Sequence, residues 1–155
     1  MHHAPHPTKP AAHPPAVAEA LAELGNQHRR LAARVRELAS INCGTANPPG
    51  VARVADRVQP WLASLADAVT AVPLPTHPTV RDDGTVGQVA VADALVAVRR
   101  PHAPRRVLLN IHLDTVYGPE HPFQTVAQPE PNLLRGPGVA DAKGGLVVML
   151  AALEA

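Results

Sequence analysis

The sequence predicts an α/β layered fold in which helices pack on a mixed sheet. Three observations carry that expectation. Apolar residues recur at helical spacing over the first third of the chain, and dense Val, Leu and Ile runs punctuated by turn formers follow between residues 86 and 114. A glycine-rich loop then feeds a last apolar helix.

Taken in order, residues 1–15 (M-H-H-A-P-H-P-T-K-P-A-A-H-P-P) offer almost nothing to bury and predict a disordered Pro/His-rich tail. His2, His3, His6 and His13 sit at proline-broken spacings that fix no metal geometry, so they carry no assigned role. From Ala16 to about Ala39, Leu21, Leu24, Leu31, Val35 and Leu38 recur on one helical face, with Gly25 and Asn26 as a point of interruption. Turn formers collect in I-N-C-G-T-A-N-P-P-G (41–50). Helical spacing then resumes through Val51, Val54, Val58, Trp61, Leu62 and Leu65, with a kink or break expected near Gln59 because Pro60 follows.

Between Asp67 and Pro78 the apolar pieces predict a short edge strand. The turn R-D-D-G-T (81–85) leads into V-G-Q-V-A-V-A-D-A-L-V-A-V, and P-H-A-P (101–104) separates that from R-R-V-L-L-N-I-H-L-D. The last run reads as an interior strand buried on both faces. Finally L-L-R-G-P-G-V-A-D-A-K-G-G predicts a loop, and L-V-V-M-L-A-A-L-E-A a helix starting near Lys143. That helix reaches Ala155 with no cap or glycine stop, so residues 16–155 are expected to form an incomplete N-terminal portion of a domain.

Composition narrows the function. Lys and Arg total 14 against 13 Asp and Glu, which gathers no polyanion, and aromatics at 2% leave no stacking platform for single strands. Nucleic acid is therefore not an expected partner. Cys43 is the only cysteine, which excludes an intrachain disulfide and a four-cysteine zinc site. The longest apolar run, 146–153, is too short to span a bilayer, so no membrane role and a cytoplasmic location are expected.

The candidate chemistry lies in two places. His112 and Asp114 are two apart, so on an extended segment their side chains share a face at the carboxyl end, where open α/β sheets bind ligands. There an imidazole can bind metal through one nitrogen while a carboxylate holds the other. Taken alone, the triplet reads as an ordinary buried His and Asp satisfied by backbone. The second place is R-G-P-G-V-A-D-A-K-G-G (135–145). A dinucleotide loop would need glycine at 141, and Asp141 instead brings negative charge to where a phosphate would sit; the G-K-[ST] of a phosphate loop is also missing. Asp141 by itself reads either as a helix N-cap or as a metal bridge.

Together, H-L-D-T-V-Y (112–117) and the glycine-rich segment with Asp141 placed 27 residues after Asp114 resemble the di-zinc metallopeptidases that include aminoacylase, succinyl-diaminopimelate desuccinylase and glutamate carboxypeptidase. The glutamate carboxypeptidase-like branch is nearest, and N-C-G-T-A-N-P-P-G-V is similar to that family's opening. The resemblance covers roughly residues 20–155. It implies the N-terminal part of a zinc-exopeptidase-like catalytic domain that hydrolyses amide or peptide bonds in small carboxylate-bearing substrates, such as small peptides or N-acyl amino acids. It further implies His112 as a zinc ligand, Asp114 as the catalytic residue that orients His112, and Asp141 as a carboxylate bridging two zinc ions, with Co or Mn as substitutes. A cis peptide is implied at Asp141–Ala142, and a homodimer for a full-length relative.

There are departures. Ile111 stands where family members often carry a small residue. The family's paired glutamates, a further carboxylate, a late histidine and the inserted substrate-gripping domain have no counterpart in this sequence. The alternative function is therefore a catalytically inactive fragment with half of the di-zinc site. Glu154 is expected on a solvated helix face, His102 and His121 in structural proline turns, and Lys143 on the surface at a helix start.

Overall fold

The computed structural model describes residues 13–155. Most of the tail expected at 1–15 lies outside the described residues, and Pro15 already opens the first helix. The elements are α1 (Pro15–Asn26), α2 (His28–Ala39), α3 (Pro48–Ala63), β1 (Ala68–Val72), β2 (His77–Val80), β3 (Val86–Val89), β4 (Ala94–Val98), β5 (Ala127–Glu130), β6 (Leu133–Arg135) and α4 (Gly145–Glu154). This is the α/β class that the sequence predicts.

The helical stretch divides at Gln27, whose backbone N–H still bonds Leu24 O. Only the second half enters the core, because α1 has no buried residue while α2 buries Leu38 and Ala39. Asn47 caps α3, accepting from Gly50 N at 3.2 Å, and Pro48 and Pro49 occupy the first turn, where a missing N–H costs nothing. Pro60 does not break α3. It sits on the exposed side, where water can take the carbonyl that its missing N–H leaves unpaired. Leu38, Cys43, Val54, Val58, Leu146, Val147 and Leu150 form one core between α2, α3 and α4. Arg30 and Arg34 of α2 both reach Glu154 of α4, so Glu154 is part of a helix-to-helix clamp rather than of a solvated face.

The strands form antiparallel pairs: β1 with β4, β2 with β3 around the predicted 81–85 turn, and β5 with β6. A single mixed sheet is not seen among the described residues; the parallel pairing there is one bridge, Gly44 with Thr115. The interior strand expected over residues 105–114 is also corrected. The segment forms no strand, and among the described residues no backbone hydrogen bond holds positions 107 to 112. A strand is interior only if neighbours flank both edges, and here they do not. Val107 and Leu108 are consequently 84% and 88% exposed. Beneath the run lies an apolar groove of about 660 Å³, lined by Leu62, Leu65, Leu95, Leu109, Ile111 and Met149 among others. No helix among the described residues is long and apolar enough to cross a membrane.

Candidate metal centre

The carboxyl end of the same run is held firmly, and the holding is local. Residues 42–45 lie beside 113–118. Thr115 N donates to Cys43 O and Thr45 N to Thr115 O, both at 2.9 Å, and the Cys43 thiol reaches Leu113 O at 3.2 Å. Asn42 Nδ2 adds contacts to Tyr117 O at 3.2 Å and to Gln124 Oε1 at 2.7 Å. A turn-forming sequence, rich in side chains that bond backbone, thus acts as the missing neighbour for the last residues of the run.

The loop with Asp141 docks on that assembly from the other side. Gly138 adopts φ +71°, and a Cβ there would lie 2.8 Å from Thr115 Cγ2, so glycine permits both the left-handed turn and the close approach. The turn Val139–Gly144 follows, with Asp141 and Ala142 outside helical dihedrals and the Asp141–Ala142 peptide cis, as the resemblance implies. Lys143 is not a surface residue. It is 1% exposed, its stem lies against Gly138, and its Nζ donates to Ile41 O at 3.2 Å, so the Asp141 turn is bonded to the start of the 42–45 segment. Ile111 fits because Gly145, at the start of α4, has no side chain; a Cβ there would lie 3.1 Å from Ile111 Cδ1.

These constraints bring the three candidate residues together. His112 Nδ1 lies 3.1 Å from Asp114 Oδ1 and also 3.1 Å from Asp114 O, while Nε2 lies 2.9 Å from Asp141 Oδ1. Asp141, on the Nε2 side, raises the His112 pKa above 6.5; partial burial works against the rise and Asp114 adds to it. The site is open. The Asp141 side chain is 86% exposed and the His112 ring 48%, so ions and water have access. His121 is structural, accepting from Phe123 N at 3.0 Å, and His102 lies in the exposed 101–104 turn.

The donor set fits part of a metal site. Two ligands of one tetrahedral zinc, each at about 2 Å, stand about 3.3 Å apart. The observed 2.9 Å between Nε2 and Oδ1 needs only a small opening. Oδ2 of Asp141 has no hydrogen-bond partner among the described residues, so the carboxylate has an oxygen to spare. Among the described residues, however, no group of three or more His, Cys, Asp or Glu is gathered to hold a metal ion. The Thr45 hydroxyl bonds Asp114 on the Nδ1 side of the ring, which is not the arrangement of a nucleophile activated by His112 Nε2.

Sequence reasoning missed Thr45 and the burial of Lys143. Small residues on both sides of Lys143, in A-K-G-G, were the available sign that backbone could close over its stem.

Residues 108–155 match the family model described as Peptidase family M20/M25/M40. The match spans His112, Asp114, the Asp141 turn and α4, and it supports a peptidase or hydrolase in general. No curated protein and no solved structure matches the chain.

Proposed function

We propose that His112, Asp114 and Asp141 form the metal-holding part of a metal-dependent hydrolase site for amide or peptide bonds in small carboxylate-bearing substrates, of exopeptidase or aminoacylase type. One observation carries this reading: His112 Nε2 meets Asp141 Oδ1 at 2.9 Å across 29 residues, within the stretch similar to a peptidase family. On its motifs the site is nearest the glutamate carboxypeptidase-like branch with two zinc ions, and small peptides or N-acyl amino acids are the substrate classes.

Each residue's part follows from its atoms. With a metal bound, Asp114 would accept the Nδ1 proton of His112 and leave the Nε2 lone pair for the ion; in the metal-free chain Nε2 instead faces Asp141 Oδ1 at 2.9 Å. Asp141 contributes negative charge and two oxygens at a solvent-open position, enough to face two cations. An ion held there, zinc first with cobalt or manganese as substitutes, supplies Lewis acidity toward a carbonyl and lowers the pKa of water.

A second reading, a non-catalytic chain with half of a two-metal site, is favoured by the absence of a three-donor group among the described residues. Two protein ligands do not close a zinc site. For the 155-residue chain we therefore expect weak, substoichiometric zinc that Asp141→Ala abolishes, and no release of amino acid from N-acyl or glutamyl substrates. Near-stoichiometric zinc with turnover removed by Asp141→Ala would overturn the second reading. Equal zinc binding by the parent and Asp141→Ala would overturn the first.

A further inference from the structure

We infer that Thr45 is a positioning residue of this centre, fixing the Asp114 carboxylate so that His112 keeps one ring orientation. The inference deepens the metal-site reading and rests on it for the role of His112.

The two oxygens of Asp114 have separate partners. Oδ2 accepts from Thr45 Oγ1 at 2.5 Å, and Oδ1 lies 3.1 Å from His112 Nδ1. A carboxylate held at one oxygen turns about its last side-chain torsion, which is broad; held at both, its plane is set. Together with Asp114 O, also 3.1 Å from Nδ1, the fixed carboxylate holds the ring that it faces, and Nε2 lies against Asp141. Threonine suits the task because branching at Cβ restricts its first torsion.

The position of Thr45 is itself overdetermined. Its backbone N bonds Thr115 O at 2.9 Å and the preceding Gly44 bridges Thr115, so the backbone alone fixes it and its one hydroxyl proton goes to the nearer acceptor, Asp114, rather than to Thr115 O at 3.2 Å. One residue further back, Cys43 is bonded through both its carbonyl and its thiol. Lys143, two residues from Asp141, anchors Ile41 at the head of this segment. Thr45 thus belongs to the segment that holds Thr115 and to whose head the Asp141 turn is bonded.

The test uses the full metal-free chain labelled with ¹⁵N, with the His112 ring nitrogens assigned by their loss in His112→Gln and observed at alkaline pH. The expected result is that Thr45→Val shifts the ring signals away from the Nδ1–H tautomer, leaving the Asp141 side to hold the proton, and weakens Zn²⁺ binding about tenfold, the lower end of what loss of an outer partner costs. Thr45→Ser should restore both, and circular dichroism should show all three chains folded alike. If valine disturbs the fold, Thr45→Ala is read in the same way. Ring signals and zinc affinity unchanged in Thr45→Val and Thr45→Ala would overturn the inference. Should the parent bind no zinc, the metal reading fails, while the ring signals still decide whether Thr45 positions Asp114.

Discussion

The two ends of the run from Val107 to Asp114 have opposite surroundings. At the upstream end Val107 and Leu108 are almost fully exposed, and among the described residues no backbone bond holds them. At the downstream end Ile111 and Leu113 pack against the core, and the 42–45 segment bonds the residues that follow. Both ends have the same kind of side chain. Hydrophobicity drives burial only where another element supplies a surface, and hydrogen-bonding backbone groups fix an extended segment only where a neighbour accepts them. The chemistry gathers at the end that is held.

The largest effect that can break this comparison is loss of a core side chain on the supported side. Leu150→Ala, at a position 0% exposed, should cost about 2–5 kcal/mol, whereas Leu108→Ala should stay within about 0.5 kcal/mol. Urea unfolding of both variants measures the difference. Similar costs would mean that the upstream end is buried in solution.

A smaller effect separates two left-handed glycines. Gly84, in the outer hairpin, has φ +83° and open space around it, while Gly138, at the site, has φ +71° and Thr115 against it. Gly84→Ala should cost about 1 kcal/mol from backbone conformation alone, and Gly138→Ala more, because the turn must also shift away from Thr115. Zinc binding should fall only in Gly138→Ala, which thermal melts and zinc titration together would show.

The smallest effects are those of pH, and they run in opposite directions. The raised pKa of His112 gives a contribution fully present below about 6.5 and lost as pH rises through the higher folded value. At Glu154 partial burial pushes the pKa up, but Arg34 and Arg30 outweigh it and hold the carboxyl below 4.5. Its contribution is therefore present above about 4.5 and lost as pH falls through the folded value, with Arg34 and Glu154 half-buried and Arg30 more exposed. Unfolding across pH should show His112→Gln converging on the metal-free parent at alkaline pH and Glu154→Gln converging on it in acid.

Much of the fold was legible because it depends on local pattern. The division near Asn26, the turn at 81–85 and the helix after the glycine-rich loop follow from spacing and turn chemistry. The break allowed for at Pro60 did not occur and the 105–114 run was misread, because each outcome depends on which side faces water or which strand stands alongside. Of the candidate site, His112, Asp114 and Asp141 were readable as residue types at a telling separation. Thr45 was not, because a hydroxyl in a turn looks the same whether or not a carboxylate lies across from it. Nor was the buried Lys143, since the carbonyl that receives its ammonium is 102 residues away in sequence.

The sequence by itself determined the helices, the hairpin turn, the His-x-Asp pair and the acidic turn after two glycines, because these rest on periodicity and on the chemistry of neighbouring residues. Only the tertiary structure decided which end of the apolar run is supported, that Lys143 is enclosed, and that Thr45, Asp114, His112 and Asp141 stand in one line of contacts. Those outcomes depend on how segments far apart in the chain meet, and on which backbone groups each finds unpaired when they do.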